Sequence, residues 1–299
     1  MHEKILVTLD GSELAEAALP YAEELAGKLP CEIRLLYVGE SPEDRYQQMR
    51  QPYIEEVLKT TKQNAERYLE KRGVSQITAK SEIIFGHPAE KIVEYAEKED
   101  IGLIVMATHG RSGIRRWAIG SVVDKVVRAT TRPVLLIRAE HSRPEVHDDG
   151  LLKRILIPLD GSKESEMVLE YIAGIISNLE AEAVLLHVLS PTHYIPAAEL
   201  GSAKVYYTDV EIEQIKASAA DYLGKVASGL KGKGITAKSE VAVGATAESI
   251  INLANEMKVG AVAMSTHGRS GIGRLVLGSV ADKVLQQGNS PLLLVRVPA

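Results

Sequence analysis

The sequence is poor in cysteine: its 299 residues contain one, Cys31. A lone cysteine cannot form a disulfide within the chain, which fits a reducing compartment. Cys31 stands directly before a strand-like apolar run, so we interpret its side chain as a small buried hydrophobe rather than a reactive thiol. The cysteine content argues against a disulfide-dependent protein, and we expect a cytoplasmic location.

Signals for membranes and nucleic acids are also missing. No apolar stretch approaches the ~20 residues that a membrane-spanning helix needs. The apolar run Ile5–Val7 follows Met1 too closely to leave room for a signal peptide. The formal net charge is −5, and Arg115-Arg116 is a pair of basic residues rather than a cluster. We expect a soluble protein that binds neither membranes nor nucleic acids.

Several motifs that define enzymes and cofactor sites are absent as well. There is no G-x-x-x-x-G-K-[ST], and no G-x-G-x-x-G follows the first apolar run, which argues against P-loop and nicotinamide-dinucleotide sites. No Cys/His spacing is typical of zinc. The G-x-S-x-G of many serine hydrolases is missing too.

What the sequence does contain is a duplication, and the two copies agree best in a glycine-rich loop. Residues Thr108–Ile114 recur letter for letter as Thr266–Ile272, and 14 of 20 positions are identical between Ala107–Val126 and Ser265–Val284. A core can be refilled with other apolar residues, whereas a loop resists substitution when its backbone makes the contacts. The duplicated loop is therefore the first candidate for a functional site.

The duplication divides the chain into two domains, which we place at residues 1–140 and 151–299. Lys4–Ser12 matches Arg154–Ser162 at an offset of 150, whereas the duplicated loops are offset by 158, so the second copy is eight residues longer. The extra residues fall around the second helix of the copy, where loops tolerate insertions.

The join between the domains is Ala139–Leu152, which contains Pro144 and the polar run His147-Asp148-Asp149. Three consecutive residues do not easily converge on one metal ion. A solvated linker, short enough to hold the two domains together, is therefore favoured over a metal site.

Each copy alternates strand-like and helix-like segments. The predicted strands of the first copy are Ile5–Leu9, Glu32–Val38, Thr78–Ile84, Leu103–Ala107 and Val134–Arg138. The predicted helices are Ser12–Lys28 with Ser12 as N-cap, Tyr53–Arg72, Ala89–Lys98 and Ser121–Ala129. Strands that are apolar throughout indicate a parallel sheet covered on both faces. We predict an α/β fold of two tandem doubly wound domains, each a five-stranded parallel sheet in the order 3-2-1-4-5 with helices on both faces.

Ligands bind such sheets beyond the carboxyl ends of the strands, where the strand order reverses. The residues at the ends of the first, second and fourth strands are Asp10, Val38 and Ala107 in the first copy and Asp160, Val188 and Ser265 in the second. The duplicated loop follows the fourth strand in both copies. These residues are therefore expected to line the same edge of each sheet.

The loop leads into a helix at Gly120-Ser121 in the first copy and at Gly278-Ser279 in the second. Ser121-x-x-Asp124 and Ser279-x-x-Asp282 predict capping boxes with Asp in place of Glu. Glycines beside a helix N-terminus form an anion site, because unobstructed N–H groups and the positive end of the helix dipole face the ligand. The agreement between the copies favours a phosphate site over glycines that serve only turns and a cap.

Three polar side chains of each copy stand near this edge: Asp10, His109 and Arg111 in the first, and Asp160, His267 and Arg269 in the second. The aspartates could be catalytic, cap a helix or recognise a ligand, and ligand recognition is favoured beside a phosphate loop. The histidines could act as general bases. No Ser, Cys or carboxylate stands at a spacing that suits a partner, so a loop-stabilising hydrogen bond is favoured. The arginines either contact phosphate or remain solvated.

These residues together resemble the universal stress protein family. The resemblance rests on Asp at the end of the first strand, Tyr37-Val38 and His187-Val188 at the end of the second, T-H-G-x9-G-S, and the G-x-P-A-E-x-I of Gly86–Ile92. It covers Met1–Arg138 and Lys153–Pro298, which is essentially the whole chain twice over.

The resemblance implies two nucleotide sites, because members that bind ATP share G-x2-G-x9-G-[ST]. This sequence departs from that pattern where Ala107 and Ser265 replace the first glycine. Carried over by position, the adenine and ribose would contact Asp10 and the Val38 backbone in one domain, and Asp160 and Val188 in the other. The phosphates would contact Gly110, Gly120, Ser121 and Val122, or Gly268, Gly278, Ser279 and Val280. The ligand would be ATP or AMP, with or without Mg²⁺.

Family members dimerise through the last strand of the sheet, and tandem members can pair their two domains within one chain. The strands concerned are Val134–Arg138 and Leu292–Val297, which would otherwise be open apolar edges. The resemblance therefore implies a pseudo-dimer of the two domains, with a further homodimer and an unidentified protein partner left open.

Three functions remain possible from the sequence. The first is an adenine-nucleotide-binding regulator of the stress response with little or no turnover. The second is a slow ATPase, which would need a base and a Mg²⁺ ligand, and only the paired aspartates or histidines are available. The third is a nucleotide-free scaffold whose loops serve dimerisation.

Overall fold

The computed structural model describes residues 4–29, 31–43, 47–69, 76–109, 119–138, 150–197, 201–268 and 277–296. The first half contains β1 (Lys4–Leu9), α1 (Glu13–Glu16), α2 (Leu19–Lys28), β2 (Glu32–Gly39), α3 (Gln47–Leu69), β3 (Ala79–Phe85), α4 (Pro88–Lys98), β4 (Leu103–Ala107), α5 (Ser121–Ala129) and β5 (Val134–Ile137). The second half contains β6 (Arg154–Pro158), α6 (Lys163–Leu179), β7 (Glu182–Leu189), β8 (Thr192–Ala197), β9 (Gly201–Tyr206), α7 (Asp209–Lys231), β10 (Ala237–Val243), α8 (Thr246–Glu256), β11 (Ala261–Ser265), α9 (Ser279–Gln287) and β12 (Leu292–Val295).

Ten of these strands form one continuous sheet, in the order β10-β7-β6-β11-β12-β5-β4-β1-β2-β3. Within each half the strands are parallel and follow the predicted order 3-2-1-4-5. The halves join at the centre, where β12 pairs antiparallel with β5 and Leu293 lies opposite Leu135. The two apolar edge strands singled out in the sequence thus cover each other within one chain.

Two apolar layers cover the sheet, and each layer runs through both halves. Because successive strand residues point to opposite faces, Ile5 and Ile155 belong to the layer under α2, α3, α6 and α7, whereas Leu6 and Leu156 belong to the layer under α4, α5, α8 and α9. The halves therefore share their cores rather than only a linker.

The predicted helix Ser12–Lys28 is wrong in one respect, since it is interrupted between α1 and α2. Pro20 lies in the first turn of α2, where a proline is tolerated, but inside a continuous helix its ring would clash with the carbonyl four residues earlier. Glu170 occupies the equivalent position of the second half, and α6 is continuous there. Ser12 caps α1 as predicted, accepting a hydrogen bond from the backbone of Ala15.

The start of the long helix α3 was also misplaced, since α3 begins at Gln47 rather than Tyr53 and contains Pro52. Arg50, in the added turn, is buried, and its guanidinium lies 5.2 Å from the centroid of the Phe85 ring. A desolvated cation over an aromatic ring is stabilising. This tertiary contact favours helix upstream of the proline. The predicted end, Arg72, lies outside the described residues.

The longer second half carries a hairpin that the sequence did not predict. Strands β8 and β9 pair antiparallel between β7 and α7 and form a separate two-stranded sheet. The inserted residues thus lie beside the second long helix of that half, where the insertion was placed. Among the described residues, no helix has the length and hydropathy needed to cross a membrane.

Cys31 is partly buried, and burial raises the pKa of its thiol to about 12. A thiol with so high a pKa stays protonated at neutral pH and is a poor nucleophile. The structure therefore agrees with a packing role for this cysteine.

Replacing Gly27 by alanine is expected to lower the free energy of unfolding by about 2 kcal/mol, because α2 and α3 leave no room for a side chain. A Cβ on Gly27 would overlap the Tyr68 Cβ and stand 2.6 Å from the Ala65 carbonyl oxygen. Gly224, in α7, is the matched control: a Cβ there would meet nothing within 4 Å. Gly224→Ala should be neutral or stabilise by up to about 1 kcal/mol. Urea unfolding followed by circular dichroism measures both, and equal effects would contradict this packing.

Candidate functional site

The carboxyl ends of β1 and β4 lie side by side, because these strands are neighbours in the sheet. The chain continues from β1 and β4 to strands on opposite sides, so this is the point where the strand order reverses. We call the region around Asp10, Thr108 and Gly120 the first site. The equivalent region around Asp160 and Gly278 in the second half is the second site.

Each site begins with an Asp-Gly-Ser turn after the first strand of its half. Asp10 Oδ1 accepts hydrogen bonds from the Ser12 backbone N–H at 3.0 Å and from its hydroxyl at 2.6 Å. Asp160 Oδ1 is held in the same way by Ser162, at 3.0 and 2.5 Å. Gly11 has a φ of 81°, a left-handed conformation that favours glycine. One carboxylate oxygen of each aspartate therefore shapes the turn.

The duplicated loop is closed at its base by a backbone hydrogen bond. The Gly120 N–H donates to the Thr108 carbonyl at 2.9 Å, and the Gly278 N–H donates to the Thr266 carbonyl at 2.8 Å. A Cβ on Gly120 would stand 3.0 Å from that carbonyl oxygen, and a Cβ on Gly278 would stand 2.9 Å from its counterpart. A side chain at either position would therefore crowd the threonine carbonyl.

The predicted capping boxes are wrong. Gly120 and Gly278 are the N-caps of α5 and α9, and neither helix has a side-chain hydrogen bond at its cap. Asp124 instead accepts from Arg128 Nε at 2.9 Å, and Asp282 accepts from Gln286 Nε2 at 2.7 Å. The physical reason is the loop closure: the N–H groups of Gly120 and Gly278 are bound to threonine carbonyls, which places the glycine rather than the serine at the N-cap.

The missing cap has an electrostatic consequence. The first N–H groups of a helix have no partner within the helix, and they carry the positive end of its dipole. Ser121 and Val122, with Ser279 and Val280, form these first turns and are exposed or half-buried. Among the described residues, no side chain therefore caps these two helix N-termini beside the glycine-rich loops.

The loop approaches the first-strand aspartate in the second site. A Cβ on Gly268 would overlap Asp160 Oδ2, so the two residues predicted to share a site do lie together. Gly110, Arg111 and Arg269 lie outside the described residues.

The residues that replace the first glycine of the family pattern are buried at the ends of β4 and β11. Ala107 is 7% exposed and Ser265 is 6% exposed. The Ser265 hydroxyl donates to the Glu164 carbonyl at 2.7 Å, in the first turn of α6. The Ser265 hydroxyl therefore donates its hydrogen to the contact between β11 and α6.

Each of the two histidines lies within hydrogen-bonding distance of the threonine that precedes it. His109 Nδ1 lies 3.0 Å from the Thr108 hydroxyl, and His267 Nδ1 lies 3.0 Å from the Thr266 hydroxyl. Nε2 of each ring is buried and has no hydrogen-bond partner within the described part of the chain. Each site therefore contains one buried imidazole nitrogen that no described residue hydrogen-bonds.

Val38 and Val188 lie at the carboxyl ends of β2 and β7, where they are half-buried. Their backbones belong to the strands next to β1 and β6. The structure thus brings the end of the second strand beside the aspartate turn, as expected for parallel neighbours.

Sequence reasoning missed a tyrosine in each half. Tyr222 donates to Glu166 Oε1 at 2.8 Å, and its ring meets that of His187 edge-on at 6.0 Å. In the first half Tyr53 meets Tyr37 edge-on at 6.3 Å, and burial, Glu16 and then Asp10 raise the Tyr53 pKa. Tyr68-Leu69 of the first copy matches Tyr222-Leu223 of the second, so the sequence pairs Tyr222 with Tyr68. Only the fold shows that Tyr53 and Tyr222 make corresponding contacts.

The fold and these paired edges define the class: a tandem doubly wound α/β protein with the same arrangement of strand ends and loop base in each half. The profile of the Universal stress protein family matches residues 1–138 and 152–296. The universal stress protein Slr1230 of Synechocystis sp. is 23% identical over 317 residues, covering 98% of this chain and 100% of that protein. YxiE of Bacillus subtilis is 32% identical over 152 residues, covering 46% of this chain and 100% of its own.

A solved structure has the same fold over its whole length. The crystal structure of a universal stress protein from Archaeoglobus fulgidus DSM 4304 has a TM-score of 0.66 and 19% identity, and the match covers 99% of both chains. With the profile matched in both halves, the chain belongs to the universal stress protein family.

Proposed function

We propose that this protein is a regulator that binds an adenine nucleotide, ATP or AMP, at each of its two sites, with little or no turnover. Each half, residues 1–140 and 151–299, would be one nucleotide-binding domain. The observation that carries the proposal is the N-terminus of α5 and of α9, which no described side chain caps and which begins at the glycine that closes the loop base. A phosphate supplies the negative charge and acceptor oxygens that such an N-terminus lacks.

Three features fit a phosphate at this position. The first-turn N–H groups of α5 and α9 lack a side-chain partner at the cap. The glycines leave the backbone accessible, since Gly120 and Gly278 carry no side chain beside the threonine carbonyls. The buried Nε2 of His109 and of His267 is a polar atom that a ligand could satisfy. The adenine and ribose would then lie toward the aspartate turn and Val38 or Val188, as the family pattern implies.

Little turnover is expected because the candidate bases are already engaged. One oxygen of Asp10 and of Asp160 holds the Asp-Gly-Ser turn, and Nδ1 of each histidine lies against a threonine hydroxyl. A regulator needs only that the ligand shift the population of conformations that a partner protein recognises.

Calorimetric titration of ATP into nucleotide-stripped protein tests the proposal. The parent should bind two equivalents, and Gly120→Val and Gly278→Val should each bind one. The lost site should weaken roughly 100-fold, about 2.7 kcal/mol, because the valine forces the loop base open. Gly224→Val in α7 makes the same size change where nothing lies within 4 Å and should keep both sites.

Failure of the stripped parent to bind ATP or AMP would favour the nucleotide-free scaffold instead. Phosphate release that is abolished in the Asp10→Ala plus Asp160→Ala variant would favour the slow ATPase. Release that survives both substitutions would point to a contaminating enzyme.

A further inference from the structure

Two equivalent arginines cross the junction between the halves. Arg296 follows β12, and its Nη1 donates to the carbonyls of Arg128 at 2.8 Å and Thr130 at 2.9 Å in the first half. Arg138 follows β5, and its Nη2 donates to the carbonyl of Leu285 in the second half. Arg138 and Arg296 occupy the same position of the two copies, at the offset of 158 that relates the loops.

The acceptors are carbonyls at the C-terminal ends of α5 and α9. The last carbonyls of a helix lack partners within it, and a cation there is favoured by the helix dipole. Each helix has nine residues, so its C-terminus lies roughly 14 Å from its N-terminus. The same two helices begin at the proposed phosphate sites. Each therefore has its N-terminus at one site and its C-terminus held by the other half.

The residue that precedes each arginine accepts a hydrogen bond from the threonine at the base of the loop in the same half. The Thr108 N–H donates to the Ile137 carbonyl at 2.8 Å, and the Thr266 N–H donates to the Val295 carbonyl at 2.9 Å. Ile137 and Val295 directly precede the two arginines in the sequence.

A continuous series of contacts therefore runs from one site to the other. The first site adjoins the N-terminus of α5, and Arg296 binds the carbonyl of Arg128 at the other end of that helix. Val295, the residue before Arg296, accepts from the Thr266 N–H at the base of the second loop. The equivalent series runs from α9 through Arg138 to the base of the first loop. Arg128 Nη2 also lies 3.7 Å from Asp282 in the first turn of α9, but both side chains are at least a third exposed, and ion pairs of this kind contribute little.

We propose that the two nucleotide sites bind cooperatively, with positive coupling transmitted by Arg138 and Arg296; this inference rests on the proposed function. A phosphate at the N-terminus and a guanidinium at the C-terminus stabilise the same short helix. A ligand in one site therefore holds the crossing arginine, and with it the loop base of the other half. The second ligand then binds to a site that is already ordered.

The coupling is measured by comparing three ATP titrations. Gly278→Val and Gly120→Val give the dissociation constant of each site alone, and the parent gives two stepwise constants. Independent sites require the product of the parent's constants to equal the product of the single-site constants, even when the sites differ. We expect the parent's product to be smaller by about fivefold or more, which is within the usual range of coupling between sites.

The arginines are tested in the same assay. In the Arg138→Met plus Arg296→Met variant, the products should become equal. Arg132→Met is the matched control, because Arg132 precedes the same strand, β5, that Arg138 follows, and it pairs with Glu97 and Asp100 in its own half. Its coupling should match that of the parent.

The outcomes separate the two proposals. Three results would overturn the cooperative inference alone, provided that the parent binds two ATP. The parent's product of dissociation constants could equal the product of the single-site constants, it could be larger, or the coupling could survive loss of both arginines. No ATP binding by the parent would overturn the proposed function and the inference together.

Hydrogen exchange gives a second readout that does not depend on affinity. In the Gly120→Val protein, ATP at the second site should slow exchange of the Thr130 N–H, which donates to the Val126 carbonyl at 2.9 Å at the end of α5. Adding Arg296→Met should abolish that protection. Protection that persists without Arg296 would show that another contact transmits it.

Discussion

Replacing Glu24 by alanine is expected to lower the free energy of unfolding by about 3 kcal/mol. The Glu24 side chain is fully buried in α2 and joins the two halves of the chain. Its Oε1 accepts from Lys28 Nζ at 2.8 Å, and its Oε2 accepts from the backbone N–H groups of Leu151 at 2.6 Å and Leu152 at 3.3 Å. Alanine would remove one partner of Lys28 and would leave two backbone N–H groups at the junction without this acceptor, which is costly.

The position of this contact explains its importance. Leu151 and Leu152 lie just before β6, which begins at Arg154, so Glu24 holds the start of the second half against the first. At the offset of 150 the equivalent residue of the second half is Gly174, which cannot make such a contact. The carboxylate is therefore not duplicated with the rest of the helix.

Urea unfolding measures the effect of Glu24→Ala against two other variants. Glu56→Ala removes an exposed carboxylate from α3 and should change stability by less than about 0.5 kcal/mol. Glu24→Gln keeps one acceptor oxygen and should fall between them. A loss at Glu24 no larger than that at Glu56 would mean that this carboxylate does not hold the junction.

Replacing Gly268 by alanine is expected to weaken ATP binding at the second site by roughly 100-fold, about 2.7 kcal/mol, and to leave the intrinsic affinity of the first site unchanged. An added Cβ would overlap Asp160 Oδ2, so the aspartate or the loop must move. Either movement changes the geometry in which the ribose and phosphates would bind.

A double-mutant cycle isolates that contact. Asp160→Ala removes the carboxylate that Cβ would strike, so Gly268→Ala should have little further effect in the Asp160→Ala background. Calorimetry on all four proteins, with Gly120→Val present to silence the first site, gives the coupling between residues 160 and 268. Additive effects would show that the alanine acts elsewhere.

Much of the fold was predictable because its strands are short apolar runs. The bounds of β4, Leu103–Ala107, and of α5, Ser121–Ala129, were predicted to the residue. Both follow from local patterns: a strand buried on both faces is apolar throughout, and a helix repeats its apolar residues every three or four positions. The interruption between α1 and α2 could also have been predicted from Pro20, but our sequence prediction did not include it.

The sequence predicted which residues lie at the candidate site better than it predicted the contacts that they make. The aspartate turn, the loop glycines and the helix start were found because parallel strands bring their carboxyl ends to one edge. The capping boxes were wrong because the sequence pattern does not reveal that the Thr108 carbonyl occupies the space beside the N-cap. Tyr53 and Tyr222 were missed because they do not align in the two copies, although each contacts the corresponding residue of the second strand, Tyr37 or His187.

The sequence by itself determined the duplication, the family, the strand positions and the residues at the strand ends. Local periodicity and the identity of single loop residues are sufficient for those conclusions. The resemblance also implied that the last strands of the two halves pair, but only the tertiary structure decided their antiparallel register, the crossing of Arg138 and Arg296, and the contact of Glu24 with the second half. These contacts join residues more than 100 positions apart, and no local pattern specifies which distant backbone group a charged side chain will reach.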